Sequence, residues 1–192
     1  MILNSLVIEN LRSYSHEEIE FPSGITLFEG DIGSGKSTVL MAIEFALFGL
    51  GSQKPEALLA KKSDSGYAIL EFSVDGQRYE IKRSLTRKGN GVNQDPKNSY
   101  IKVDDEKIPL SPTELKQKVL QILKFNEPGD PKAESKIFRY AVFTPQEEMK
   151  SVLTDTTKRL ATIRKAFGIE DYNTAVTNAK EIASEIRVQL VK

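Results

Sequence analysis

The chain has 192 residues, no cysteine, and 27 basic against 27 acidic residues, so its formal net charge is zero. The lack of cysteine excludes disulfides, thiolate metal sites and a cysteine nucleophile, and the balanced charge gives no overall argument for a polyanionic partner. No stretch approaches a membrane-spanning length, and the opening MILNSLVIEN has a strand pattern without a basic or apolar leader region. We therefore expect a cytoplasmic protein that has no membrane partner.

Apolar residues near the N-terminus predict two strands, then a third strand that leads into a helix. The first two strands are expected at residues 2–8 and around Ile19, joined by a polar turn at residues 10–16. The third is expected to be short and buried, with the apolar residues Ile25, Leu27 and Phe28. The helix is expected to bury four residues at helical spacing, which are Val39, Ile43, Ala46 and Leu47. Gly49 is expected to end it.

Residues 30–38, Gly-Asp-Ile-Gly-Ser-Gly-Lys-Ser-Thr, match the phosphate-loop pattern G-x-x-x-x-G-K-[ST] between that strand and that helix. A polyphosphate needs N–H donors without steric obstruction, and glycines followed by a helix N-terminus provide them. Lys36 supplies a mobile positive charge for the β and γ phosphates, and the Ser37 hydroxyl is the expected Mg²⁺ ligand. Thr38 offers a further hydrogen bond. The pattern predicts a nucleoside triphosphate site.

The middle of the chain predicts two hairpins and a capped helix. Asp75-Gly76 is a type I′ turn signal between two apolar strands, and a second hairpin is expected around the charged turn 104–107. The stretch 88–99 between them is expected to be a mobile loop. Residues 111–114, Ser-Pro-Thr-Glu, form a capping box with proline at the first helical position, so a helix is expected to begin there.

The last part of the chain predicts two helices. One is expected from about Thr156 to Phe167, and another follows Gly168. In the second helix six residues recur in alternating steps of four and three, as in a coiled-coil seam: Tyr172, Val176, Ala179, Ala183, Ile186 and Leu190. An amphipathic helix packed on its own domain is the alternative. The predicted domains are residues 1–168 and 169–192.

The phosphate loop lacks the companions that hydrolysis requires. An ATPase needs acids at the end of an apolar run to hold Mg²⁺ and to polarise water. The stretch 101–106 does not fit this pattern, because Lys102 interrupts the run and its acids fall in a predicted hairpin turn. Gln146 is the one persuasive candidate to orient water.

A local excess of basic residues falls between Arg78 and Lys102, where seven basic residues face two acidic ones. The seven are Arg78, Lys82, Arg83, Arg87, Lys88, Lys97 and Lys102. Such a patch on a hairpin and a loop fits a nucleic-acid backbone, and solvated hairpin charges are the alternative explanation.

Four stretches together resemble the ABC-type ATPase heads of structural-maintenance-of-chromosomes-like proteins, in particular the archaeal double-strand-break repair ATPases. They are residues 10–14, 30–38, 42–49 and 143–146. In that family each head is assembled from two distant halves of one chain that a long antiparallel coiled coil joins. The resemblance is to the N-terminal half, an α/β P-loop lobe with an antiparallel β subdomain and the start of the coiled-coil helix.

The resemblance implies a Mg²⁺-dependent ATPase in which two heads form a homodimer around two ATP molecules. The C-terminal half of the same ATPase would bring the signature motif and the acidic pair, and the implied further partners are a break-repair nuclease and double-stranded DNA. An SMC-type chromosome-organising or recombination head without the nuclease is the first alternative. A P-loop kinase or GTPase is the second.

The resemblance also assigns residues. Arg12 would reach the phosphates, and Gln146 would contact Mg²⁺ or the attacking water. The implied nucleotide contacts are Arg12, Ser13, Asp31, Ile32, Gly33, Ser34, Gly35, Lys36, Ser37, Thr38, Lys61 and Lys62. Ser37 and Gln146 would hold the metal, and Lys36 and Gln146 would be the catalytic residues. The family commonly has asparagine where this chain has Ile32, so only the backbone is expected to contact phosphate there.

Overall fold

The computed structural model describes residues 1–89, 91–135, 137–139, 160, 164 and 169–190. The chain divides into two compact units, Met1–Glu134 and Ser135–Lys192. Gln146 and most of the predicted helix at 156–167 lie outside the described residues.

An antiparallel sheet of seven described strands forms the first unit. The strands are β1 (Ile2–Leu11), β2 (Tyr14–Glu20), β3 (Ser65–Val74), β4 (Gln77–Lys88), β5 (Gly91–Gln94), β6 (Tyr100–Val103) and β7 (Glu106–Pro109). Their order is β2-β1-β3-β4-β6-β7, and β5 pairs with the second half of β4. The sheet agrees with the predicted α/β fold that has an antiparallel β subdomain.

Three helices accompany the sheet in the first unit: α1 (Lys36–Phe48), α2 (Pro55–Leu58) and α3 (Pro112–Leu123). α1 packs against β1, β3, β4 and α3, and it buries nine of its 13 residues. The four residues predicted to be buried are among the nine. Gly49 caps α1 as predicted, and its N–H donates to Phe45 O at 2.9 Å. The phosphate loop is therefore followed by a rigid, buried helix.

Both predicted hairpins and the predicted capping box are confirmed. Asp75 and Gly76 have φ angles of 51° and 84°, as a type I′ turn requires, and they join β3 to β4. The second turn joins β6 to β7 and is shorter than predicted, because Glu106 and Lys107 already pair with β6. At the start of α3, Ser111 Oγ accepts from Glu114 N at 3.3 Å, and Glu114 Oε2 accepts from Ser111 N at 2.8 Å.

The prediction of a mobile loop at residues 88–99 is wrong. β4 extends to Lys88, beyond the part that pairs with β6, so its second half has a free edge that β5 fills. A 3₁₀ turn follows at Pro96–Asn98, where Asp95 Oδ1 accepts from Lys97 N at 3.1 Å. Both elements are four residues or fewer and mostly polar, so no apolar period predicts them.

The predicted buried strand before the phosphate loop is also wrong. Residues 25–28 pair with no described strand, and the side chains of Ile25 and Leu27 are 98% and 82% exposed. Phe28 makes an edge-to-face contact with Phe21 at 6.5 Å between ring centroids. A strand needs a neighbour that satisfies its N–H and C=O groups, and the described sheet offers none to this segment.

The second unit contains α4 (Ile169–Leu190), a helix of 22 residues. Its described apolar side chains are exposed, including Tyr172 and Val176 at 73% and 52%. The helix confirms the predicted secondary structure of the tail, while its pairing in a coiled coil stays a prediction. Within the described part of the chain, no helix has the length and hydropathy needed to cross a membrane.

Candidate nucleotide-binding site

A cavity of about 450 Å³ lies where the β1–β2 turn meets the phosphate loop and the N-terminus of α1. Its lining residues are Arg12, Ser13, Gly33, Ser34, Gly35, Lys36, Ser37 and Thr38. All eight belong to the predicted nucleotide contacts. The chain therefore brings two separate sequence stretches, 12–13 and 33–38, to one polar cavity.

Gly35 packs the phosphate loop against the β1–β2 turn. Its φ angle is 94°, in the left-handed region, and it forms the N-cap of α1. A Cβ at this position would lie 2.9 Å from Tyr14 Cε2 and 3.1 Å from Ser13 Oγ. Any side chain at residue 35 would therefore be strained and would push the loop away from the turn. Tyr14 is a contact that the sequence analysis missed.

The Lys36 ammonium lies over the loop. Its Nζ donates to Gly30 O at 2.6 Å, Asp31 O at 2.7 Å and Ser34 Oγ at 3.2 Å. An ammonium group binds phosphate oxygens more strongly than neutral carbonyl and hydroxyl oxygens, because phosphate carries more negative charge. Lys36 can therefore exchange its present acceptors for a phosphate. The Lys36 side chain is therefore already placed on the cavity side of the loop.

Arg12 also lines the cavity, and it lies in a strained turn. Its φ angle is 52°, and its N–H donates to Leu58 O at 2.8 Å. Its Nη1 lies 2.8 Å from Met41 Sδ, and a thioether is a weak acceptor for a guanidinium. Phosphate oxygens would be much stronger partners, so Arg12 is suited to bind them.

The two residues after Lys36 differ in exposure. Ser37 is exposed, so its hydroxyl is accessible to a metal ion bound with phosphates. Thr38 is 4% exposed and reaches the cavity with a small part of its surface, while its N–H donates to Gly35 O at 2.8 Å. The hydroxyl of Ser37 and the glycine-lined loop fit Mg²⁺ with a polyphosphate, since Mg²⁺ keeps few protein ligands and several phosphate oxygens.

Four predicted contacts do not line the cavity in the described structure. Asp31 contributes its carbonyl to Lys36, and the side chain of Ile32 is fully exposed. Lys61 and Lys62 are exposed and lie in the loop after α2. This loop adjoins the cavity through the backbone, because Ala60 N donates to Asn10 O at 2.9 Å, next to the turn that carries Arg12.

The structure corrects the predicted basic patch. Arg83 is 1% exposed, and its guanidinium donates to Ala46 O at 3.0 Å, Leu47 O at 3.2 Å and Pro112 O at 3.2 Å. Burial lowers the pKa of Arg83 to about 9, so the group is still charged at neutral pH. Arg87 is also engaged with backbone carbonyls. These two arginines stabilise the fold, and the exposed members of the patch are Arg78, Lys88 and Lys97.

Comparison with known proteins gives a consistent set of relatives. A sequence profile described as an AAA domain matches residues 5–192. A DNA double-strand break repair Rad50 ATPase of Archaeoglobus fulgidus is 33% identical over 93% of this chain and 18% of its own length. The protein of the same description from Methanocaldococcus jannaschii is 28% identical over 99% of this chain and 18% of its own length.

A solved structure of the recombination mediator protein RecF with ATP is 26% identical, with a TM-score of 0.47 over 59% of this chain and 29% of that chain. The chain thus spans about a fifth of the length of the two archaeal relatives, each covered over 18%.

Proposed function

Since the chain belongs to the AAA-domain family and resembles the N-terminal region of Rad50- and SMC-like ATPase heads, we propose that it is the ATP-binding half of such a head. The observation that carries the proposal is the polar cavity that the phosphate loop, Lys36 and Arg12 line together. A triphosphate placed there meets two cationic side chains and the N-terminus of α1, which all favour negative charge.

The exposed segment before the phosphate loop supports completion of the head by a second polypeptide segment. Ile25 and Leu27 expose most of their side chains, and no described strand pairs with residues 25–28. Alternating apolar residues with free backbone groups are what an added strand requires. We propose that the C-terminal half of the same ATPase supplies that strand, so the site becomes complete only when both halves are present.

Hydrolysis needs groups beyond those that line the cavity. Ser37 would hold Mg²⁺, and Gln146 would contact the metal or the attacking water. The acids that polarise water would come from the C-terminal half, and the signature motif would come from a second head in a homodimer. ATP binding would close the head dimer and hydrolysis would reopen it, which would control access of DNA and of a break-repair nuclease.

Double-stranded DNA is a proposed partner through the exposed lysines of the β4–β6 region. Lys88 and Lys97 are exposed near the β4–β5 hairpin, where side chains can approach a phosphate backbone. The α4 helix, with its exposed apolar residues, would begin the coiled coil that links the two halves.

The phosphate site is tested with Lys36→Ala. We expect this variant to lose most of its affinity for Mg-ATP, measured by calorimetry on the chain, and to lose nucleotide-dependent dimerisation of the completed head. Lys132→Ala is the matched control, because Lys132 is an exposed lysine of the same unit away from the cavity. Unchanged ATP affinity in Lys36→Ala would refute the site.

A further inference from the structure

The β1–β2 turn that carries Arg12 has a strained backbone, and contacts from another segment of the chain hold it in place. Asn10 and Arg12 both have φ angles of 52°, which non-glycine residues adopt when surrounding contacts hold them there. The contacts come from residues 58–60, which lead out of α2. Arg12 N donates to Leu58 O at 2.8 Å, and Ala60 N donates to Asn10 O at 2.9 Å. Leu11 and Leu59, which lie between these hydrogen-bonded residues, form an isolated antiparallel bridge. The position of Arg12 therefore depends on this segment.

The same segment is held on its other side by Arg87, near the end of β4. The guanidinium Nε donates to Ser63 O at 3.1 Å, and Nη2 donates to Ala60 O at 3.2 Å and Lys61 O at 3.4 Å. The backbone N–H of Arg87 also donates to Asp64 O at 2.7 Å. One side chain thus binds three carbonyls of residues 60–63. A guanidinium can do this because its donors are fixed in a planar fork, whereas a lysine ammonium is a point charge on a flexible chain.

A second contact ties α2 to the same hairpin. Glu56 Oε1, on α2, accepts from Val92 N at 3.2 Å, and Val92 pairs with Arg87 across the β4–β5 hairpin. The hairpin therefore holds the segment 56–63 both before and after the bridge that supports Arg12.

We propose that Arg87 is a positioning residue for the nucleotide. By fixing the carbonyls of residues 60–63 it keeps the bridge in place, and the bridge keeps Arg12 in the conformation that faces the phosphates. Among the described residues, those that line the cavity do not include Arg87, so it acts through backbone contacts. The inference rests on the proposed ATP site and adds a determinant of its affinity.

The first test is the Mg-ATP affinity of Arg87→Lys, which keeps the charge and removes the fork. We expect about tenfold weaker binding, the lower range for loss of a charge-assisted phosphate contact. Arg187→Lys is the matched control, because Arg187 is exposed on α4, and its affinity is expected to equal that of the unaltered chain. Amide hydrogen exchange is expected to become faster at Arg12 and Ala60 in Arg87→Lys. Unchanged exchange at both would overturn the proposal.

A double-mutant cycle with Arg12→Ala separates positioning from general destabilisation. If Arg87 acts through Arg12, Arg87→Lys costs little further affinity once Arg12 is alanine. An equal fold-loss in both backgrounds would refute the proposal, since it would show that Arg87 acts independently of Arg12. If the unaltered chain binds no Mg-ATP, the proposed function fails. If it binds and Arg12→Ala weakens binding while Arg87→Lys does not, only the role of Arg87 is refuted.

Discussion

The Arg83 side chain stabilises α1, the helix that follows the phosphate loop, by donating hydrogen bonds to its last turn. Ala46 O and Leu47 O belong to the last turn of α1, whose carbonyls lack partners within the helix. Pro112 O is the third acceptor, at the start of α3. In Arg83→Met all three carbonyls lose a charged donor while the apolar stem of the side chain is kept.

Ala46 O and Leu47 O would then lack a partner at about 1–3 kcal/mol each, and removal of the buried charge offsets part of the total. We therefore expect Arg83→Met to lower the free energy of unfolding by about 3 kcal/mol and Tm by about 6–12 °C for a chain of this size. Urea and thermal denaturation followed by circular dichroism measure both. Arg78→Met is the control, because Arg78 is exposed on the same strand, and its expected change is within about 0.5 kcal/mol. A loss in Arg83→Met no larger than in the control would refute the structural role.

Two further predictions concern the sheet and its surface. His16 Nδ1 lies 2.6 Å from Glu9 Oε2, and this contact raises the pKa of His16 above 6.5. The contact therefore stabilises the fold fully below pH 6.5 and is lost as pH rises through the raised pKa. The Tm difference between the unaltered chain and His16→Gln should shrink as pH rises; a difference constant with pH contradicts this. For DNA, replacing Lys88 and Lys97 with alanine should make the slope of log affinity against log salt shallower by about 1–2 in the completed head, and an unchanged slope would exclude them as phosphate contacts.

The sequence predicted the elements whose signals are local. The Asp75-Gly76 turn and the capping box at Ser111 each depend on residues a few positions apart, and both formed as predicted. The phosphate loop was found for the same reason, since its glycines, Lys36 and Ser37 are contiguous. The proximity of Arg12 to this loop was predicted from the family resemblance alone. The residues between Arg12 and the loop carry no local signal for that contact.

The failures concern long-range contacts. Arg83 was predicted to lie in an exposed basic patch because of its charge, yet it is 1% exposed and donates to backbone carbonyls. A cationic side chain is buried where the fold brings unpaired backbone carbonyls within its reach. The positions of those carbonyls depend on tertiary packing, which a periodic pattern in the sequence does not predict. The strand predicted at residues 25–28 failed for a related reason. Its apolar pattern is real, but pattern alone does not supply the neighbouring strand that would pair with it.

We propose that this chain binds ATP and depends on a second polypeptide segment to hydrolyse it. The most direct measurement is phosphate release from Mg-ATP by the chain alone and after addition of the C-terminal half of a head, with Lys36→Ala measured in parallel. We expect Mg-ATP binding without turnover by the chain alone, turnover after the addition, and neither in Lys36→Ala. Turnover by the chain alone at the rate of the completed head would contradict this dependence on a second segment.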